Sequence, residues 1–236
     1  MAKTGKGDFA EGKIIESAKE LFYEQGFNKT TVAQITKHAG VNNGLFTYYF
    51  GSKSNLAATI ESRFRLDMRN LVSQAMFDIY GDYNLALGIA TEYRVIVDLY
   101  ERYPKLRVFV MENYAGTQQL GDVSRNDIVN MQNTLAASQR NHFYQMQRRL
   151  INPSISDTDL AIYEAVGISA ANALVSSWHN GLIDCSKKYL GDKFIQICFW
   201  LLGLGDERIE QLKQESLETI NDIHLVLKPY FKLELE

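Results

Sequence analysis

Proline and cysteine are scarce in this sequence, and long hydrophobic runs are missing from it. Its 236 residues include 3 Pro and 2 Cys, and neither cysteine has the spacing of a metal site. So few cysteines exclude a disulfide scaffold and fit a reducing compartment, which predicts a cytoplasmic protein. The longest apolar run, Ile195 to Leu204, is far shorter than the roughly 20 residues that cross a bilayer. We therefore expect no membrane, no metal and no cofactor.

Enzyme signatures are also missing. The sequence has no G-x-x-x-x-G-K-[ST] phosphate loop, no G-x-S-x-G elbow and no H-E-x-x-H, and its four His are scattered singly. Its 46% hydrophobic and 22% charged residues are an ordinary globular balance, and the few proline and glycine breakers favour helices. The sequence predicts a helical binding protein and not an enzyme.

Charge is distributed unevenly along the chain. Residues 1–69 carry ten Lys and Arg against seven Asp and Glu, whereas residues 70–236 carry fifteen against twenty-one. A basic amino-terminal part on an acidic body indicates that only the amino-terminal part meets a polyanion such as DNA.

The amino-terminal part has the spacing of a helix-turn-helix. Lys13–Gln25 places apolar residues at helical intervals and is followed by Gly26, a typical helix stop. Thr31 with Gln34 three residues later has the form of a capping box that opens a short helix. Gly40 then permits a positive φ between two crossing helices. This pattern predicts a supporting helix behind two short helices that cross.

The second short helix, from about residue 42 to 49, has side chains suited to a major groove. Short polar or flat side chains there can reach base edges and phosphates: Asn42, Asn43, Leu45, Thr47 and Tyr48. Thr31 and Lys53 stand at helix starts, where the backbone amides and dipole favour a phosphate. The alternatives are that Thr31 is only a cap and that Lys53 is a solvated charge.

Several motifs occur here in a characteristic order: Gly26-Phe27, Thr30-Thr31, Ala39-Gly40-Val41, Gly44, Tyr48-Tyr49-Phe50, Ser52-Lys53 and Leu56. With them, the run from Ile14 to Leu56 resembles the DNA-binding domain of the TetR family of bacterial transcriptional regulators. The resemblance implies phosphate contacts for Thr31, Tyr49 and Lys53 and base-facing positions for Asn43, Leu45 and Tyr48. Alternatively, Tyr49 belongs partly to the core, as Phe50 does.

The recognition helix departs from the family pattern at two places. Thr47 stands where the family usually has Tyr, and Asn42-Asn43 stands where it usually has Ser-Lys. Since Asn pairs bidentately with adenine, the preferred operator is expected to differ as well.

The resemblance further implies an all-helical carboxyl-terminal domain that binds a small molecule and forms the dimer. Helices expected at about 157–183 and 190–204 would supply the interface through small residues and a Trp anchor. The alternative is that both stripes are intramolecular core. The predicted interface residues are Ala170, Ala171, Leu174, Trp178, Phe194, Ile197, Cys198 and Leu201.

A second stripe of the 157–183 helix is predicted to face the ligand cavity that the resemblance implies. Asn172, Ser176 and His179 would supply polar groups, and Tyr93 and Phe143 an aromatic wall. Ordinary packing and satisfied core polar groups are the alternative for each of them.

The sequence thus predicts an all-α protein with a helix-turn-helix domain at 1–54, including a basic arm at about 1–8, and a ligand-binding and dimerisation domain at 55–236. The expected function is a homodimeric repressor that a small effector releases from a near-palindromic operator. A DNA-bound protein-interaction module without a metabolite ligand is the alternative.

Overall fold

A computed structural model describes residues 5–118 and 145–236, and helices dominate both ranges. The predicted all-α class is confirmed. Residues 145–151 are helical too. The elements are α1 Gly5–Gln25, α2 Val32–Ala39, α3 Asn43–Phe50, α4 Lys53–Tyr80, α5 Leu85–Arg102, α6 Pro104–Gln118, α7 Asp157–His179, α8 Lys187–Leu201, α9 Asp206–Thr219, β1 Leu225–Lys228 and β2 Lys232–Leu235.

The two ends of the chain differ from the sequence prediction. Helix α1 begins at Gly5, so residues 5–8 of the predicted basic arm are helical, because lengthening an existing helix avoids the cost of nucleation. Helix α9 ends at Thr219, and beyond it β1 and β2 form a two-stranded sheet that the all-α prediction did not include. Leu225 and Leu227 are buried in alternation, which is the period of a strand.

The chain divides into two compact units. Unit 1 joins the residues up to Met68 with α6 and the terminal segment Val226–Glu234, and unit 2 contains Arg69–Glu101 and the residues up to Leu225 that follow α6. Unit 1 is discontinuous in sequence, unlike the predicted division at residue 54, which stays a prediction.

An aromatic cluster forms the core of unit 1. The Phe22 ring lies 5.5 Å from the rings of Phe27 and Phe109, and Phe109 stacks on Phe231 at 4.7 Å. Tyr23 meets Phe231 edge-on at 5.6 Å. The supporting helix α1 is therefore packed against a ring from α6 and a ring from the terminal segment.

Unit 2 has an apolar core built on α5 and closed by α7, α8 and α9. The core is a contiguous set of buried residues: Ile89, Ala90, Ile155, Leu160, Tyr163, Ile195, Cys198, Phe199, Leu202, Ile209 and Leu212. A buried cation lies on the same helix: Arg94 Nη2 donates to Asp192 and to the Lys213 carbonyl oxygen, both at 2.5 Å, and its Nε donates to Ser216 at 2.8 Å.

Candidate functional site

Helices α2 and α3 cross at a tight turn in unit 1. Gly40 has φ 66°, the left-handed value predicted for it, and its N–H donates to the Lys37 carbonyl oxygen. Phe46 is buried under the crossing, and Thr36 Oγ1 donates to Asn43 Oδ1 at 2.7 Å. The turn, the apolar contact and this hydrogen bond together fix the angle at which α3 is presented.

Both short helices begin with a side-chain cap. Thr31 Oγ1 accepts the Gln34 N–H at 3.2 Å while Gln34 Oε1 accepts the Thr31 N–H at 2.8 Å, so the predicted capping box is confirmed. Asn42 Oδ1 accepts the Leu45 N–H at 2.9 Å and caps α3. The sequence analysis assigned Asn42 to DNA alone, but its side-chain oxygen already has this structural partner.

The open face of α3 is formed by residues four apart. Asn43 and Thr47 are exposed, as is Tyr48 at 78%, while Phe46 and Phe50 are buried on the other side. Leu45 is half-buried. Tyr49 is half-buried as well, and its ring lies edge-on to Tyr48 at 5.0 Å. Of the predicted base-facing residues, Asn43 and Tyr48 are thus exposed and Leu45 is half-buried, on a helix whose start is capped and whose crossing with α2 is held by a hydrogen bond.

Lys53 at the start of α4 has protein partners. Its Nζ donates to the carbonyl oxygens of Phe27 and Thr30, both at 2.8 Å, and lies 4.1 Å from the centre of the Phe27 ring. Burial lowers the pKa of Lys53, and the Glu112 carboxylate acts against that shift. Two of its three N–H donors hold the loop between α1 and α2, which leaves one for a phosphate.

Three residues near this surface were missed by the sequence analysis. Lys29 and Lys37 are exposed cations on the loop and on α2, and their positive charge in the basic segment was the available signal. Glu112 of α6 accepts the Asn28 N–H at 3.1 Å, a contact between residues 84 positions apart that sequence spacing does not reveal.

The residues predicted to line a ligand cavity are not brought together as expected. Tyr93 lies with its hydroxyl 3.3 Å from that of Tyr163, whereas Asn172 is about half a turn around α7 from Tyr163. Ser176 Oγ accepts from Asn180 at 3.4 Å, and His179 ends α7 half-buried. Phe143 lies outside the described residues.

The predicted dimer stripes need a correction. Phe194 and Cys198 are 3% and 4% exposed, so they belong to the core of their own chain, where Phe194 packs against Tyr93. Trp178 Nε1 donates to the Cys185 carbonyl oxygen at 3.2 Å. The residues predicted with them are all half-buried: Ala170, Ala171, Leu174, Ile197 and Leu201.

Helix α7 is more apolar than the sequence analysis recognised. Among the described helices it alone is long and apolar enough to cross a membrane by length and composition, and most of it is not buried inside the protein. It carries Asp157, Asp159 and Glu164, and buried helices of soluble proteins meet the same criterion. One such helix is weak evidence for a membrane span, so the expectation of a chain without a membrane segment stays a prediction.

Comparisons with known proteins show which family the helix-turn-helix region is similar to. The family described as bacterial regulatory proteins, tetR family, matches residues 14–60. The HTH-type transcriptional regulator BetI of Yersinia pestis (strain Pestoides F) is 34% identical over 71 residues, 30% of this chain and 34% of that protein. The probable HTH-type transcriptional regulator YttP of Bacillus subtilis (strain 168) is 46% identical over 52 residues, 22% of this chain and 25% of that protein.

The chain spans about a third of the length of BetI and about a quarter of the length of YttP. The fold extends further. The structure of RolR without ligand has a TM-score of 0.51 and 14% identity, with coverage of 87% of this chain and 96% of that one. The two named relatives are HTH-type transcriptional regulators. Residues 14–60 of this chain therefore form a helix-turn-helix segment similar to that of the tetR family of bacterial regulatory proteins.

Proposed function

We propose that the protein is a homodimeric repressor that leaves a near-palindromic operator when a small molecule binds to unit 2. The observation that carries the proposal is the open face of α3, where Asn43, Thr47 and Tyr48 project from a helix capped at its start and locked to α2. Such a face fits a major groove about 12 Å wide.

The proposed DNA contacts are of two kinds, to base edges and to phosphates. Asn43, Leu45, Thr47 and Tyr48 are proposed to meet base edges, because they lie along the accessible part of the recognition helix. Phosphates are proposed to bind at the capped helix starts, where unpaired backbone N–H groups point outward. The residues proposed for the phosphates are Thr31, Asn42 and Lys53 at these helix starts, and Tyr49 near the end of α3.

A second copy of the chain is the proposed partner of α7 and α8. Ile162 and Val166, four residues apart on α7, are 46% and 45% exposed, and Trp200 on α8 is 65% exposed. Exposed apolar side chains of this size on two helices of one unit favour an interface. A symmetric pair of recognition helices would then read two half-sites one helical turn apart.

Selection from random duplex DNA, followed by affinity measurement at several salt concentrations, tests DNA recognition. We expect a two-fold symmetric site. Lys53→Met should lower the salt slope by about one, whereas Lys105→Met, on α6 beside Glu24, should leave it unchanged. Failure to enrich any sequence would contradict the proposed readout, and an unchanged slope for Lys53→Met would leave Lys53 with a purely structural role.

Sedimentation equilibrium tests the dimer. Trp200→Glu should produce monomers that bind the selected site more weakly, because a single recognition helix reads only one half-site. Leu182→Glu is the matched control, since Leu182 is 79% exposed in the turn after α7. Dimers that persist in Trp200→Glu would exclude this face as the interface.

Effector release requires the ligand to prefer the conformation that fits the operator poorly.

A further inference from the structure

Arg148 is a buried cation whose hydrogen bonds are incomplete. It is 7% exposed, and its Nε and Nη1 atoms are buried without an acceptor in the described part of the chain. Its guanidinium carbon lies 5.2 Å from the centre of the Tyr163 ring. Arginine stays charged inside proteins, and an uncompensated buried charge is unfavourable, so this site requires an anion.

The carboxylate near Arg148 is already used. Glu92 accepts three hydrogen bonds from Arg69, from Nε at 2.8 and 3.0 Å and from Nη2 at 2.7 Å. Arg69 also donates to Gln147, the residue that precedes Arg148, at 3.1 Å. Among the described residues, two guanidinium groups and one carboxylate leave a single positive charge in this buried group.

The other titratable groups beside Arg148 carry no compensating charge at neutral pH. Burial raises the pKa of Tyr93, Tyr163 and the Cys198 thiol above their ordinary values. Burial also raises the pKa of Tyr83 to about 12. These groups are therefore neutral, and the phenol hydroxyls of Tyr93 and Tyr163 remain able to donate hydrogen bonds.

We propose that Arg148 is the anchor of a small monocarboxylate with an apolar body, bound in unit 2 beside Tyr93 and Tyr163. The inference that this ligand is the effector rests on the proposed function, whereas the site itself does not. One net positive charge selects a monoanion, and a guanidinium N–H donates a strong charge-assisted hydrogen bond to a carboxylate oxygen. Tyr163 and Cys198 belong to the apolar core of unit 2, which favours an apolar body for the ligand.

Arg94 shows what a self-sufficient buried arginine looks like in the same unit. Its guanidinium has Asp192, Ser216 and the Lys213 carbonyl oxygen as acceptors. Unit 2 therefore satisfies one buried guanidinium with protein groups and leaves another for an acceptor from outside.

Thermal unfolding of the full chain tests the site without DNA. The probes are acetate, benzoate and octanoate, each compared with its neutral amide at equal concentration and ionic strength. We expect benzoate or octanoate to raise the midpoint by about 2–4 °C or more at saturation, and the amides to leave it unchanged. A wild-type chain that responds to no carboxylate more than to its amide would overturn the proposal.

Variants of neighbouring arginines locate the effect. Arg148→Gln should abolish the carboxylate shift, and Arg148→Lys should reduce it, because the shorter ammonium keeps the charge but not the positions of the guanidinium N–H donors. Arg149→Gln should keep it, because Arg149 is partly exposed and pairs with Asp157. The midpoint without any carboxylate shows that each variant is folded. A full shift in Arg148→Gln would also overturn the proposal.

The two proposals fail differently. Affinity for the selected DNA is measured for wild type and Arg148→Gln with and without benzoate or octanoate. If the chain binds no specific DNA but still shows the Arg148-dependent midpoint shift, the repressor proposal fails and the anion site stands. If specific DNA binding is intact and the midpoint shift is absent, the anion site fails alone.

Discussion

The polar side chains of unit 1 and unit 2 differ in whether the protein itself supplies their hydrogen-bond partners. Around the helix-turn-helix, three of the proposed DNA-binding side chains are already held by the protein: Lys53 by two carbonyl oxygens, Asn43 by Thr36, and Thr31 by Gln34. In unit 2, Arg148 is buried with two donor atoms that lack an acceptor in the described residues.

The difference teaches what each unit can do alone. A surface whose side chains are fixed before binding loses little conformational entropy when DNA arrives, so unit 1 is preorganised. A buried site with an unsatisfied charge gains most when a ligand supplies the missing acceptor, so unit 2 can respond to one. A DNA reader benefits from the first property and a sensor from the second.

Replacing the two buried arginines of unit 2 tests this comparison with the largest expected effect. Arg94→Met should lower the free energy of unfolding by about 3–5 kcal/mol, because it leaves Asp192 without its buried partner. Arg148→Met should be neutral or stabilising in buffer without carboxylates, because it removes a charge that lacks a partner. Urea denaturation measures both values.

The sign of the change in the free energy of unfolding for Arg148→Met decides this prediction. A loss comparable to that of Arg94→Met would mean that the chain itself satisfies Arg148 and that unit 2 is as self-sufficient as unit 1.

Lys188 and Arg94 both donate to Asp192 and lower its pKa although burial acts in the other direction, which indicates that this carboxylate is ionised in the folded state.

The terminal segment provides the next largest effect, in unit 1. Phe231→Ala should lower the stability of unit 1 by about 3 kcal/mol, because it opens a cavity against Phe109 and Tyr23. Tyr230→Ala is the neighbouring control, since Tyr230 is exposed and touches only the edge of the cluster through Tyr23. Similar losses in the two variants would show that the segment is not anchored by Phe231.

The helix-turn-helix could be predicted from the sequence because its determinants are local. Gly40, the Thr31–Gln34 box and the buried Phe46 act over spacings of a few residues, and each lies where the pattern indicated. Helix α3 was predicted within one residue of Asn43–Phe50.

The faces of unit 2 were harder to predict, also for a physical reason. Helix α7 is apolar over most of its circumference, so its pattern does not indicate which side meets the core, and Tyr163 defines that side only in the folded chain. Arg148 gave no signal because arginine is ordinarily exposed. Phe231 reaches Phe109 across more than a hundred residues, beyond the range of any local pattern.

A smaller effect is expected at Asn43, where two variants distinguish base recognition from the hydrogen bond that joins α2 and α3. Asn43→Ala should change the preferred half-site and cost about 1–3 kcal/mol on the original site, because it removes a base-facing amide. Thr36→Val breaks the same hydrogen bond from the other side and should keep the preference. Selection from random DNA with both variants measures this. The same altered preference in both would mean that the hydrogen bond, and not the Asn43 amide, sets the specificity.

Thr31 gives the smallest expected change. Thr31→Ala should cost about 1 kcal/mol of stability through the lost cap, and Thr31→Ser should restore it. If the hydroxyl also meets a phosphate, Thr31→Ala weakens binding on every sequence alike without changing the salt slope, because a neutral hydroxyl releases no counterion. Affinity measured across a salt series separates these roles. A loss of stability with full DNA affinity would make Thr31 a cap alone, and unit 1 would then position α3 through a residue that never meets the DNA.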